Sequence, residues 1–204
     1  MKKYLFLLLT FFGLISAAQE SIDTTKMDYA SIEALPEFPG GIPGLSNYIS
    51  QNLHYPEVAD LLGIGGKVSV EFVVGKNGAV TEVKTNSCVG AGCEAEAMRV
   101  LSNSPKWKPG IQNSRPVSVT YTLPITFPKA VGRILSMEKL RNSKFDFVFF
   151  IEGKEYLIND AEKILGSTFE QSTVESADKY AYPEKFSFPV NKEVYLIKMK
   201  NSKK

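Results

Sequence analysis

Residues 117–127 read VSVTYTLPITF, and this stretch decides the fold of the 204-residue chain. Apolar and small polar side chains alternate along it, which is the period-two pattern of a strand with one buried face. Pro124 has no backbone donor, and prolines within sheets are largely confined to edge strands. The strand is therefore predicted to lie at the edge of its sheet, where a partner strand can add. Its buried face is predicted to carry Val117, Val119, Tyr121, Leu123, Ile125 and Phe127.

The preceding segment predicts two further strands. Every second residue of the stretch 67–74 is apolar or aromatic, which is typical of a half-buried strand. Residues 75–78, GKNG, then reverse the chain, because Asn-Gly tolerates the positive φ angles of a tight hairpin. In the return strand, residues 79–86, Val80 and Val83 lie three residues apart, and a β-bulge would explain this break in the alternation.

Three helices are predicted in the same region. A turn-forming cluster at residues 36–41 precedes a short helix near residues 45–49. A second helix begins with Pro56 at its first position, where no backbone donor is needed, and Gly63 closes it. The third helix, residues 94–102, has one apolar and one charged face. The combination of helices and hairpin strands predicts an α+β fold.

The C-terminal third of the chain is also predicted to fold. Aromatic residues alternate along 145–151 as in a strand, and Glu152-Gly153 predicts a turn after it. Residues 161–165 predict a short helix that Asp160 would cap, and residues 194–199 predict a closing strand. A hydrophobic content of 44% is enough for two packed cores in a chain of this length.

The N-terminus has the pattern of an export signal. Lys2 and Lys3 precede an apolar run at residues 4–15, and small residues lead up to Ala18, so cleavage is predicted after Ala18. The run is shorter than the roughly 20 apolar residues that span a bilayer, and a retained inner-membrane anchor is the alternative. The predicted order is a signal peptide at 1–18, a tether at 19–35, a first domain at 36–128 and a small α+β domain at 129–204.

The charge balance argues against two classes of partner. The chain has 24 basic and 22 acidic residues, and removal of Lys2 and Lys3 leaves it neutral. Nucleic acids and anionic membranes both require a basic face, which an interspersed neutral chain lacks. Neither partner is predicted.

The residue types give little basis for catalysis. His54 is the only histidine, and it precedes a predicted helix, where a surface or packing role is expected. The sequence has no nucleophile elbow, phosphate loop or metal-ligand helix, so no catalytic residue, no cofactor and no small-molecule substrate is predicted. Trp107 is expected to be a core aromatic residue.

Cys88 and Cys93 are the two cysteines, separated by Val-Gly-Ala-Gly. A disulfide between them is one expectation for an exported chain, because the glycines permit closure of the loop. The alternative is a buried free Cys93 at the start of a helix, with Cys88 unpaired. A metal site is not expected, since two thiols without nearby histidines leave the ligand set half empty.

Several short motifs follow one another in the first domain. They are Tyr55-Pro56, Gly63 to Gly66, Asn77-Gly78, Pro105-Lys106-Trp107-Lys108-Pro109-Gly110, Pro116-Val117 and Pro124-Ile125-Thr126-Phe127. In this order, the set resembles the C-terminal domain of the TonB family over about residues 36–127. Phe38-Pro39-Gly40-Gly41 resembles the version common in Bacteroidetes. The resemblance implies a three-stranded antiparallel sheet backed by helices, in a protein of the periplasm.

The resemblance also implies a partner and a site. Domains of this family take up the TonB box, a short extended segment of an outer-membrane transporter, as a strand added along the edge of their last strand. Whether two copies of the chain pair as a homodimer is left open by the sequence. By the resemblance, the residues at or near the docked segment are Tyr55, Pro56, Val117, Val119, Tyr121, Leu123, Ile125 and Phe127.

Two features depart from a TonB that transduces energy. Such a protein has a membrane anchor and a long spacer, whereas this chain is expected to lose residues 1–18 and to keep only a short tether. It is then expected to hold a transporter without pulling on it alone, as an accessory, competitor or adaptor. The second departure is the folded segment 129–204, which would block the edge strand or supply a second contact site. The alternative function is a structural or regulatory periplasmic protein that keeps the fold without transporter binding.

Overall fold

A computed structural model describes residues 32–188 and 192–201. The predicted signal peptide, residues 1–18, and most of the predicted tether, residues 19–35, lie outside the described residues. Within the described ranges, no helix is both long and apolar enough to cross a membrane.

Alternating apolar residues build the central sheet. Strand β1 (Gly66–Val74) lies between β2 (Val80–Thr85) and β5 (Val119–Phe127), and both neighbours are antiparallel to it. Its register with β5 runs without a shift from Gly66 opposite Phe127 to Val74 opposite Val119. The three-stranded antiparallel sheet and the edge position of the last strand are as predicted.

The predicted bulge lies in β2. Glu71 faces Lys84 and Val73 faces Thr81, so β2 has one residue more than β1 over this interval. Glu82, within the bulge, has a φ of 53°. The extra residue explains why Val80 and Val83 break the alternation, and the prediction of a bulge is confirmed.

The predicted strand 117–127 is divided in two. Residue Val117 belongs to β4 (Arg115–Val117), which forms a separate hairpin with β3 (Gly110–Gln112) and pairs Val117 with Gly110. The hairpin closes through Asn113 and Ser114, which both have positive φ. Ser118 separates the two strands, so the prediction of one continuous strand from Val117 was wrong. The side-chain alternation passes through residue 118, and sequence pattern therefore did not reveal the change of pairing partner.

Three helices accompany this sheet: α1 (Gly41–Asn52), α2 (Glu57–Leu62) and α3 (Cys93–Ser102). Helix α3 lies against β1 and β2 and buries Ala97, Val100 and Leu101. Gly63 closes α2 in the left-handed conformation, as predicted. Pro56, however, is the residue before the first helical turn, with extended backbone, and not the first helical residue. The fixed φ of Pro56 suits either position, and the start of the helix was therefore predicted one residue too early.

Trp107 is the centre of an aromatic cluster in the core. Only 4% of its surface is exposed, and its ring centroid lies 5.4 Å from those of Phe38 and Phe72 and 5.9 Å from that of Tyr121. The prediction of a core aromatic residue is confirmed.

The C-terminal third forms a second sheet of four strands, in the order β10 (Val174–Lys179), β11 (Glu193–Met199), β7 (Phe145–Ile151) and β8 (Lys154–Leu157). Strands β7 and β8 form a hairpin through the predicted turn at Glu152 and Gly153, which both have positive φ. Strand β11, the predicted closing strand, pairs in parallel with β7. The remaining helices and strands of this part are β6 (Ile134–Ser136), α4 (Met137–Arg141), α5 (Ile158–Leu165) and β9 (Thr168–Glu170).

Helix α5 begins earlier than predicted. Its first residue is Ile158, so Asp160 lies inside the first turn and caps nothing. The Asp160 carboxylate instead accepts a hydrogen bond from Lys163. The prediction that Asp160 caps the helix was wrong, because the hairpin β7–β8 feeds directly into α5 and leaves no loop before it.

The two sheets share one hydrophobic core within the compact unit of residues 31–204. Phe72 and Phe127 of the first sheet belong to the same buried cluster as Phe149 and Ile197 of the second. The predicted boundary at residue 128 thus falls where the chain passes from one sheet to the other.

Candidate strand-binding edge

The outer edge of β5 is the predicted binding site, and its side chains divide into two rows. Val119, Ile125 and Phe127 are buried beneath the helices, while Tyr121 and Leu123 of the same row are half-buried. The second row lies on the opposite face and is largely exposed. It consists of Thr120, Thr122, Pro124 and Thr126.

The hydrogen bonds of Ser69 fix the direction of the β5 backbone. Ser69 of β1 donates its amide to the hydroxyl of Ser87 at 2.8 Å, and its carbonyl accepts from the hydroxyl of Thr85 at 2.7 Å. Both partners lie on the β2 side, so the backbone groups of Ser69 point away from β5. In an antiparallel pair, two directly opposite residues either both direct their backbone N–H and C=O groups toward each other or both direct them away. Pro124 is opposite Ser69, and its backbone therefore faces outwards.

The two-residue period extends this result along the strand. Thr120, Thr122 and Thr126 are in phase with Pro124 and direct their N–H and C=O groups to the outside, whereas Pro124 offers only its carbonyl. Within the part of the chain that the structure describes, no strand pairs with this side of β5. The edge thus presents a row of backbone groups that an extended segment can pair with.

Tyr55 lies at the end of this edge. Its ring is 6.1 Å from that of Phe127, and its hydroxyl lies 2.6 Å from the carbonyl oxygen of Ile64 and 2.7 Å from that of Pro128. Burial raises the pKa of Tyr55, with smaller contributions from Cys93 and Asp60. The hydroxyl therefore stays protonated and acts as a hydrogen-bond donor. The Tyr55 side chain, which lies just before α2, therefore contacts both the residue Ile64 after this helix and the residue Pro128 after β5.

The other predicted site residues are more dispersed. Pro56 faces the C-terminal sheet and lines a cleft with Lys144 and Tyr195. Val117 is on the β3–β4 hairpin, before the edge strand begins. The structure thus brings Tyr55 together with Phe127 at one end of β5, and it places Pro56 and Val117 away from the outward row.

The threonines of the outward row were missing from the predicted site. The β5 residues predicted from the resemblance are those whose side chains lie on the core face, whereas strand addition uses the backbone of the alternate residues. Pro124 was the signal that could have identified them, because a missing donor is tolerated where the backbone points out of the sheet.

The C-terminal third packs against a different surface. Arg133 donates to the carbonyl of Asp60 in α2, and the amide of Ala91 donates to the carbonyl of Ala177 in β10. Gly63 at the end of α2 lies against Ala130, Arg133 and Gln171. These contacts involve α2 and the loop 88–92, and they leave the outward row of β5 exposed.

Both cysteines are free thiols in the structure. Cys93 is completely buried at the start of α3, and burial raises the pKa of its thiol to about 12. Cys88 is exposed. This arrangement corresponds to the second alternative derived from the sequence. Among the described residues, no group of three or more His, Cys, Asp or Glu side chains is placed to hold a metal ion.

His54 takes part in a junction between α1 and α3. Its amide donates to the Glu96 carboxylate at 2.6 Å, and Arg99 contacts its Nδ1 at 3.1 Å. The Arg99 guanidinium lowers the pKa of Glu96. The His54 side chain is 78% exposed, which fits the surface role expected from the sequence.

The comparisons with known proteins concern the same region. The family model of the Gram-negative bacterial TonB protein C-terminal matches residues 51–128. The chain is also similar to the solution structure of the Helicobacter pylori TonB C-terminal domain, with 24% identity over 42% of this chain and 78% of that chain and a TM-score of 0.32. No curated protein matches the chain.

The matched segment includes α2, the central hairpin, α3 and the whole of β5. The family consists of protein-interaction domains, in keeping with an exposed backbone edge as the candidate site. On this match and on the three-stranded antiparallel sheet with its helices, residues 51–128 belong to the TonB C-terminal family.

Proposed function

We propose that this TonB-like domain binds the TonB box of an outer-membrane transporter in the periplasm, as a strand added to the outer edge of β5. The binding would serve energy-coupled transport. The observation that carries the proposal is the outward row of Thr120, Thr122, Pro124 and Thr126, whose backbone groups have no strand partner among the described residues.

The physical basis is the pairing of main chains. Strand addition takes its affinity from backbone hydrogen bonds and its selectivity from the pockets for alternate side chains. Tyr121 and Leu123 are half-buried next to the edge, so apolar side chains of an added strand can pack on them. Thr122 is exposed and Thr120 is half-buried on the opposite face of the sheet. The side chains that an added strand places on that face can therefore be polar.

The position of the C-terminal third supports binding over the structural or regulatory alternative. A protein that had lost this function would be free to cover the edge. Here the hydrogen bonds between the described residues after Pro128 and the domain run through α2, Gly63 and the loop 88–92. With cleavage after Ala18, the protein would act as an adaptor or accessory that holds a transporter.

The test is an NMR titration of residues 19–204 with TonB-box peptides from transporters of the same organism. Amide shifts are expected at Thr120 and Thr122, whose N–H groups point outwards, and near Tyr55. Thr122→Pro removes one outward donor without touching the β1–β5 ladder, and it should weaken binding about threefold to tenfold, the effect of roughly one net hydrogen bond.

Thr122→Val is the matched control, since it keeps the N–H group and the β-branched shape but loses the hydroxyl. It should bind like the wild type. Equal binding by Thr122→Pro and Thr122→Val, or a titration without shifts on a folded domain, would move the assignment to the structural or regulatory alternative.

A further inference from the structure

We propose that Pro124 determines which strands the β5 edge accepts: it admits a short extended segment paired with residues 119–123 and disfavours long strands, including the β5 of a second copy. The inference rests in part on the proposed function, since the short segment is the transporter peptide.

The outward donors of the edge are unevenly distributed. Thr120 and Thr122 offer two successive N–H groups, and their carbonyls and that of Pro124 complete an uninterrupted set of hydrogen-bonding groups. Beyond it, Thr126 is isolated between Pro124 and Pro128, neither of which has an N–H group. The complete part of the edge is therefore the half that precedes Pro124.

The far end of the edge is closed by a side chain. The carbonyl of Pro128 lies 2.7 Å from the hydroxyl of Tyr55, so the tyrosine side chain stands next to this acceptor. A strand that continued past Pro124 would find one donor, at Thr126, and none at Pro128. Extra length in the ligand thus adds little affinity.

A short peptide avoids the interruption. A segment of about five residues can pair with residues 119–123 and end opposite Pro124, where its last carbonyl stays in water. The apolar side chains that such a peptide directs toward the core face meet the half-buried Tyr121 and Leu123.

When the β5 edges of two copies pair, each copy contributes one Pro124 that lacks an N–H group. In an antiparallel pair of two β5 edges, each Pro124 that faces a partner residue removes one ladder hydrogen bond, and its ring occupies the place of the missing hydrogen. The two copies escape this only if the pairing is confined to residues 119–123 of both chains, where Ser118 ends the strand. Natural sheets use edge prolines in this way against edge-to-edge association.

The variant that tests the inference is Pro124→Thr, which continues the row of threonines and supplies the missing outward donor. Sedimentation of the mature chain over a range of concentrations measures self-association. The wild type should stay monomeric, and the association constant of Pro124→Thr should rise at least about tenfold, as two restored hydrogen bonds predict. The double variant Thr122→Pro with Pro124→Thr moves the gap by two residues and should return to the wild-type behaviour.

The second measurement compares five-residue and nine-residue versions of one TonB-box peptide by calorimetry. For the wild type, the dissociation constants should differ by less than about tenfold, because the longer peptide gains at most the isolated pairing with Thr126. For Pro124→Thr, the ratio of the two dissociation constants should increase by a further factor of about three to ten, the effect of roughly one additional hydrogen bond.

A wild type that dimerises through β5, or a folded Pro124→Thr variant that stays monomeric, overturns the inference. So does a wild type that binds the nine-residue peptide tenfold more tightly than the five-residue one. Should the wild type bind neither peptide while Pro124→Thr self-associates, the proposed function fails and the role of Pro124 against self-pairing stands.

Discussion

Gly78 is the residue at which the β1–β2 hairpin meets the loop that carries Trp107. Its φ is 78°, and the amide of Trp107 donates to its carbonyl at 2.8 Å. A Cβ atom at this position would lie 2.0 Å from the carbonyl oxygen of Trp107. The sequence predicted a glycine turn here, but it did not predict this contact, because Trp107 is far away along the chain.

Gly78→Ala should lower the free energy of unfolding by about 2 to 4 kcal/mol, since backbone strain and the clash with Trp107 act together. Gly153→Ala is the matched control, because Gly153 has a φ of 84° and no heavy atom within 4 Å of an added Cβ. Gly153→Ala should lower the free energy of unfolding by about 1 kcal/mol, because only the left-handed backbone conformation is unfavourable for alanine there. Urea denaturation of both variants measures the difference, and equal losses would contradict the contact.

At the scale of elements, the loop 88–92 and helix α3 form one structural unit. The Glu94 carboxylate accepts hydrogen bonds from the amides of Val89 and Gly90, and the thiol of Cys93 is buried at the start of the helix. Sequence periodicity predicted the helix and left the state of the cysteines open, because that state depends on burial.

We expect the native chain at pH 8 to react with iodoacetamide at Cys88 and not at Cys93, whose thiol stays protonated with a pKa of about 12. In urea both should react, and Cys88→Ser should leave the native chain unlabelled. Mass spectrometry counts the labels. If neither thiol reacts until a reductant is added, the disulfide is the correct alternative.

The same raised pKa has a consequence for stability. A thiol with a pKa near 12 in the folded state and about 8.5 in the unfolded state stabilises the fold fully below the lower value. That contribution declines as the pH rises from about 8.5 toward 12. Cys93→Ala should lessen this alkaline loss of stability.

At the scale of the whole molecule, the described part of the chain joins two sheets through one core. The loop 88–92 contacts the edge of the second sheet, where the amide of Ala91 donates to the carbonyl of Ala177. Gly90 makes this approach possible, since a Cβ atom there would lie 2.7 Å from the Ala177 oxygen.

Calorimetry of residues 19–204 should therefore give one unfolding transition, with equal calorimetric and van't Hoff enthalpies. Gly90→Ala should lower its midpoint by several degrees, which corresponds to a loss of about 2 kcal/mol. Gly132→Ala is the control, because Gly132 has a φ of 71° and nothing within 4 Å of an added Cβ, and it should have a smaller effect. Two separate transitions would show that the segments 36–128 and 129–204 unfold independently.

Local patterns were sufficient to predict the elements that one short stretch of sequence encodes. Period-two alternation predicted β1, β5 and β7, and the spacing of Val80 and Val83 predicted the bulge in β2. Patterns were insufficient where a strand changes partner, as at Ser118, and in the segment 134–141, where β6 and α4 are too short to show a period.

The sequence by itself thus determined the α+β character, the edge position of the strand that contains Pro124, and the aromatic core around Trp107. Only the tertiary structure decided which way the missing donor of Pro124 points, because that direction follows from the hydrogen bonds of Ser69 to Thr85 and Ser87. It also decided that β11 pairs in parallel with β7, and that the C-terminal third packs on α2 and leaves the edge exposed. These features depend on contacts between residues distant in the chain, which no local pattern records.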